Sequence, residues 1–133
     1  NPLPRFASLR SNEVTARVGP GTQYPVKYVY ASKFQPVEVI NEYYGWYQLK
    51  DVSGDISWVH RNYVSPTQYA VAILDGVLIY ERAKPGSVIV AKVNRGVVFL
   101  PGRCEKGFCH VKTNVGGVEY KGYMLKDSLW GVQ

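Results

Sequence analysis

The chain has 133 residues, enough for one domain or two small ones. Its 46% hydrophobic and 20% charged residues fit a folded globular chain and exclude a disordered one. No apolar stretch approaches the ~20 residues of a membrane-spanning helix. The formal charge of +6 is divided as 7 basic and 5 acidic residues over 1–66, and 9 and 5 over 67–133. Such a surface would suit a polyanion, whether nucleic acid, anionic lipid or acidic wall polymer. The bases are scattered, however, and none of them forms the run of ~5–8 that marks a dedicated patch, so most are expected to be solvated.

Eleven Tyr, three Trp and four Phe, with many Val and with 13 Gly and 8 Pro as punctuation, favour β structure. Sustained helical spacing of apolar residues is missing. The expected fold class is all-β with short strands. Asn1 to Arg10 reads as an extended lead-in whose Phe6 and Leu9 tuck against the first sheet. Val14–Val18 is strand-like and runs into Gly19-Pro20-Gly21-Thr22-Gln23-Tyr24-Pro25, a stiff loop fixed by two glycines and two prolines. Strands are expected at 26–30 and 37–40. Gly45-Trp46-Tyr47-Gln48-Leu49-Lys50 then alternates with the two-residue period of a half-buried strand, and Ile56–Val59 is its hairpin partner across Asp51–Asp55. His60–Val64 reads as a single helical turn, and Ser65-Pro66-Thr67 closes the unit.

The pattern then restarts. Ala70–Leu74, Val77–Tyr80, Val88–Val93 and Val97–Leu100 are expected strands, and Gly107-Phe108-Cys109-His110-Val111-Lys112 falls on Gly45–Lys50. A longer loop is expected over Thr113–Glu119, after which Gly122-Tyr123-Met124 matches Ser57-Trp58-Val59, and Lys126–Leu129 matches Arg61–Val64. These matches predict two tandem units, 1–66 and 67–133, each of about five short strands partly closing on itself as small barrels do.

Glu13-Val14-Thr15-Ala16-Arg17-Val18-Gly19-Pro20-Gly21-Thr22-Gln23-Tyr24-Pro25-Val26 resembles the opening of a bacterial Src-homology-3-like (SH3b) domain. Glu38-Val39-Ile40, Gly45-Trp46-Tyr47 and Trp58-Val59-His60 follow in that family's order. Leu3-Pro4-Arg5-Phe6 is similar to the lead-in of a proteobacterial branch with two such domains in tandem. The resemblance is specific over residues 3–64 and weaker over 70–130. It implies two small SH3-like β-barrels in a secreted or periplasmic protein. It also implies a binding role, commonly toward peptidoglycan or another envelope partner, and no catalysis. The chain opens at Asn1 without a methionine, and a secretion signal is expected to lie outside this sequence.

Cys104 and Cys109 are the only cysteines. With Gly107 in a hairpin turn they would lie on neighbouring strands within disulfide reach, and a disulfide is the first expectation. Free buried thiols are the second, and metal or catalytic use comes last, because only His60 and His110 could supply nitrogen ligands. Most of the first unit's aromatics, with Trp58 among them, are expected to be structural, since aromatic rings dominate burial in small barrels. Trp46 and Tyr63 match positions that line a peptide groove in eukaryotic relatives. His60 stands where the family often has a groove proline, and Tyr24 lies in the adjoining loop, so these four are the candidate ligand-binding residues. Arg17 is expected to pin the loop through carbonyl hydrogen bonds, and Gly19 and Gly21 are read as backbone requirements rather than a phosphate cradle.

The expected function is therefore a non-catalytic module that recognises peptidoglycan or an envelope protein or peptide. It needs no cofactor, is not expected to bind nucleic acid, and lies in the periplasm or outside the cell. A nucleic-acid-binding barrel, suggested by the charge and the aromatics, is the alternative. A small hydrolase ranks lower, because the chain has two His and no acid cluster.

Overall fold

The structure, a computed structural model, describes residues 2–132. It is all-β and divides into two compact units, Asn1–Gln68 and Tyr69–Gln133. Thr67 is tied to the first unit: its carbonyl accepts from Ser8 Oγ at 2.7 Å, and its N–H donates to Ser65 Oγ.

The first unit consists of β1 (Arg5–Leu9), β2 (Val14–Arg17), β3 (Val26–Tyr30), β4 (Pro36–Tyr43), β5 (Trp46–Lys50) and β6 (Ile56–His60), followed by a 3-10 turn (Arg61–Tyr63) and β7 (Val64–Ser65). They form a seven-stranded sheet in the order β3-β2-β6-β5-β4-β1-β7. The lead-in is itself a strand. Arg5–Ser8 pair with β4, Leu9 pairs with Val64 of β7, and Leu9 is fully buried. This lead-in strand and the two-residue β7 raise the count above the expected five.

Alternation along the strands sorts inside from outside. Val14 and Ala16 of β2, Val37 and Val39 of β4, Leu49 of β5 and Val59 of β6 meet in one core with Ala7, Leu9 and Val64. Strands from both ends of the sheet's order thus share one interior, so the sheet curls around it. The core is aliphatic, against the expectation that most of the aromatics fill it. Tyr28, Tyr30 and Tyr47 pack only at its margin, and Trp58 is half-buried outside it. Outward positions of β5 and β6 are thereby left to Trp46, Gln48, Trp58 and His60.

Asp51 anchors the β5–β6 turn. Its Oδ1 accepts from the N–H groups of Ser53 and Asp55, both at 3.0 Å, and its Oδ2 accepts from the Tyr30 hydroxyl at 2.8 Å. Burial pushes the Tyr30 pKa far above the usual tyrosine value, and hydrogen bonding to Tyr28 and Asp51 pushes it further the same way.

The second unit consists of β8 (Ala70–Ala72), β9 (Val77–Tyr80), β10 (Ile89–Val93), β11 (Val98–Glu105), β12 (Phe108–Val115) and β13 (Val118–Leu125), followed by a 3-10 turn (Lys126–Ser128) and β14 (Leu129–Trp130). Its order, β10-β9-β13-β12-β11-β8-β14, is that of the first sheet with each strand number advanced by seven. Phe99, Ile79, Val111 and Met124 are fully buried at its centre. The loop expected over Thr113–Glu119 is instead the end of a long hairpin, with Val115 paired to Val118. Gly116 and Gly117, at φ 60° and 82°, supply a two-residue turn whose twist suits the flanking strands, so pairing continues to the tip. Cys104 and Cys109 are register partners on β11 and β12 and form a disulfide.

Candidate binding cleft

Strand β2 ends at Arg17, where the backbone enters the 18–25 loop. Arg17 faces outward because Val14 and Ala16 take the inward positions. Its Nη1 donates to the carbonyls of Tyr24 at 2.9 Å and Thr22 at 3.2 Å, holding the loop against the strand. Gly19 is buried, and a Cβ there would lie 2.4 Å from the Tyr24 ring, so the absence of a side chain at 19 is what lets that ring seat on the loop. At Gly21 the nearest atoms to a Cβ would be those of the Gln23 side chain.

On the other side, Trp46 opens β5 and pairs in register with His60, the last residue of β6. Their rings meet edge to face, with centroids 5.3 Å apart. His60 also caps the 3-10 turn: its Nδ1 accepts from the Asn62 N–H at 3.1 Å. An accepting Nδ1 places the proton of the neutral imidazole on Nε2, which is left as a donor. The same turn carries Tyr63, 45% exposed.

Between the loop and the turn lies an open cleft of about 360 Å³. Thr15, Arg17 and Thr22 line it from β2 and its loop, and Trp46, His60, Asn62 and Tyr63 from β5, β6 and the turn. Of the sequence-expected ligand residues, Trp46, His60 and Tyr63 are brought together, with Arg17 beside them. Tyr24 is not among the lining residues; its ring lies over Gly19, and its carbonyl is bound by Arg17. Thr15, Thr22 and Asn62 join the cleft without having been expected. Thr15 could have been found from the inward positions of Val14 and Ala16, whereas a loop and a turn offer no such period for the other two. All the lining side chains are cationic, aromatic or neutral and polar, and none is a carboxylate.

Strand register locates the corresponding positions in the second unit. Phe108 pairs with Leu125 as Trp46 pairs with His60, and Tyr80 pairs with Tyr123 as Arg17 pairs with Trp58. Phe108 is buried, and the cleft there, about 260 Å³, is lined by Leu74, Val77, Leu78, Tyr80, Leu125 and Ser128 among others. It has no cation and no histidine. His110, which follows Cys109, stacks edge to face on Tyr123 on the outer face at 5.2 Å.

A small curled sheet with an aromatic cleft between a long loop and a 3-10 turn is a compact β domain of the Src-homology-3 type. The family model for the bacterial SH3 domain matches residues 10–66, and the chain carries a bacterial SH3 domain over that span. No curated protein matches the chain. Among solved structures it is similar to NlpC2 from Trichomonas vaginalis, at 19% identity and a TM-score of 0.43 over 96% of this chain and 48% of that one. It is also similar to NlpC1 from the same organism, at 19% identity and a TM-score of 0.41 over 97% of this chain and 46% of that one. The chain spans about half the length of these two structures. Among the described residues, no helix is long and apolar enough to cross a membrane.

Proposed function

We propose that the chain is a non-catalytic binding module of the bacterial cell envelope, and that the cleft of the first unit holds the ligand. The observation that carries this reading is the convergence of Arg17, Trp46, His60 and Tyr63 on one open cleft free of carboxylates. Aromatic faces can stack on a sugar ring or an extended peptide. The guanidinium and the His60 Nε2–H supply donors for carbonyl or carboxylate oxygens. Wall polymers offer both kinds of partner.

A binding role is supported over a catalytic one by what the side chains already do. His60 spends its Nδ1 on capping the turn, and both cysteine sulfurs are joined to each other, which leaves the chain without a thiol nucleophile. The disulfide also supports a location outside the reducing cytoplasm, the periplasm or beyond. The shared strand order supports reading the second unit as a divergent SH3-like copy that does not share the first unit's ligand, because Phe108, Leu125 and Tyr80 replace its binding groups.

Co-sedimentation with isolated peptidoglycan sacculi at low and high salt tests the proposal. Retention that survives high salt and is lost in Trp46→Ala is expected. Retention that vanishes on adding salt would reduce the interaction to the charge of +6. No retention at all would reject the wall as partner.

A further inference from the structure

The cleft is one end of a longer aromatic surface. Tyr43 of β4 pairs in register with Trp46 of β5, which pairs in turn with His60 of β6. Directly opposed residues of antiparallel strands project from the same face, so these three side chains form a row across the sheet at the strand spacing of ~4.8 Å. At the tip of the β4–β5 hairpin, Tyr44 continues it, its ring meeting Tyr43 edge to face at a centroid distance of 4.6 Å.

Apart from that ring contact, neither burial nor backbone geometry favours a tyrosine at position 44. The residue is 88% exposed, so its ring gains almost no burial. Its φ of 42° lies in the left-handed region, which glycine, asparagine and aspartate enter more readily than tyrosine. Tyr43 beside it is 54% exposed. An exposed ring held at a disfavoured backbone angle, in line with a cleft, is explained by a ligand that uses it.

Resting on the reading that the cleft holds the envelope ligand, we infer that this ligand is a linear glycan strand, whose successive sugar rings lie along Tyr44, Tyr43 and Trp46 and whose acyl-amide or carboxylate oxygens reach Arg17 and His60. The row suits such a chain in three respects. The apolar faces of pyranose rings stack on aromatic side chains, and stacking tolerates variation along a polymer. The strand spacing that separates Tyr43 from Trp46 is close to the repeat of a β-linked pyranose chain. The inner end offers Arg17 and the Nε2–H of His60 with no carboxylate among the lining residues, which complements oxygen acceptors.

The test uses the full chain, with affinity measured by titration calorimetry and stability by thermal melting. The probes are peptide-free glycan strands from amidase-digested sacculi and, separately, the stem peptides released by that digestion. Wild type is expected to bind the strands. Tyr44→Gly and Tyr44→Asn, which both tolerate the left-handed angle, are expected to weaken binding by about five- to tenfold while melting at or above the wild-type temperature. A ring with a merely structural role would instead lower the melting temperature, and that result would overturn the inference. Unchanged affinity in both Tyr44 variants alongside loss in Trp46→Ala would discard the row and leave the cleft. Binding of the stem peptides alone would keep the cleft and reject the glycan. Binding of neither probe would reject both.

Discussion

Trp46 and Leu49 lie three residues apart on β5, one facing the cleft and the other the core, and that contrast gives a sharp prediction. Leu49 is fully buried, and Leu49→Ala should cost about 2–5 kcal/mol, from lost transfer energy and the cavity left behind. Trp46 is half-buried, belongs to no core cluster, and touches His60 across the cleft floor. Losing a fully buried tryptophan would cost about 3–5 kcal/mol. Because Trp46 is only partly buried and lies outside the core, with one edge-to-face contact worth about 0.5–1.5 kcal/mol, Trp46→Ala should fall below that range, at about 1–2 kcal/mol. In a domain of this size a loss of 1 kcal/mol lowers Tm by about 4–8 °C, so the two variants separate on one melting curve. Urea denaturation followed by far-ultraviolet dichroism gives the stabilities, and sacculus co-sedimentation gives the binding. The expected result is a small stability loss with abolished retention for Trp46→Ala. Leu49→Ala should show a large stability loss, with retention intact below its melting temperature. If Trp46→Ala proves as destabilising as Leu49→Ala, the ring is core and the cleft assignment falls.

Three further outcomes follow from the geometry. Gly19→Ala places a methyl 2.4 Å from the Tyr24 ring, so the loop must shift; a stability loss of about 1–3 kcal/mol is expected, together with weaker binding, checked by urea titration and co-sedimentation. Tyr30 holds its proton more tightly folded than unfolded, so it contributes stability that is complete below the ordinary tyrosine pKa of ~10 and is lost as pH rises past it. Melting from pH 8 to 11 should therefore show a steeper alkaline decline in wild type than in Tyr30→Phe, and equal slopes would remove Tyr30 as the cause. The Cys104–Cys109 bridge closes a loop with a sequence separation of 5, worth about 2 kcal/mol in the chain-entropy account. Reduction should lower the transition of the second unit by that amount and leave binding by the first unchanged, as melting with and without reductant will reveal.

Much of this architecture is written in two-residue alternation. Trp46-Tyr47-Gln48-Leu49-Lys50 announces its inward Leu49 and outward Trp46, and the Asp51–Asp55 turn is legible from its glycine and its self-bonding side chains. The lead-in strand was harder to see, because Arg5–Leu9 becomes a strand only by pairing with residues about thirty and about sixty positions away, and no local signal carries that. The Val115–Val118 turn was legible in principle from Gly116-Gly117, although the expected loop covered all of Thr113–Glu119. The expectation of an aromatic core failed for a physical reason. The inward positions are supplied by Val, Ala and Leu from six strands, and the rings are left for the margin and the outer face.

In the cleft, family-like motifs singled out Trp46, His60 and Tyr63, the first two on strands whose register can be followed. Tyr24 was grouped with them because its loop adjoins the groove, yet the loop folds its ring back over Gly19. Thr22 lies in a loop and Asn62 in the 3-10 turn, where the direction of a side chain depends on hydrogen bonds such as Arg17 to Thr22 and Asn62 to His60. The Tyr43–Trp46–His60 row was equally out of reach, since it depends on the β4–β5 turn falling at Tyr44-Gly45 and on the register of two strand pairs at once.

The central claim, that the first unit's cleft is the ligand site, is tested most directly by backbone amide shifts of the isotope-labelled chain, recorded while muramidase-solubilised wall fragments are added. Shifts concentrated at Thr15, Arg17, Thr22, Trp46, His60 and Asn62, with residues 69–132 unmoved, are the predicted result. Shifts centred on the second unit, or spread evenly over the lysines and arginines of both, would contradict it.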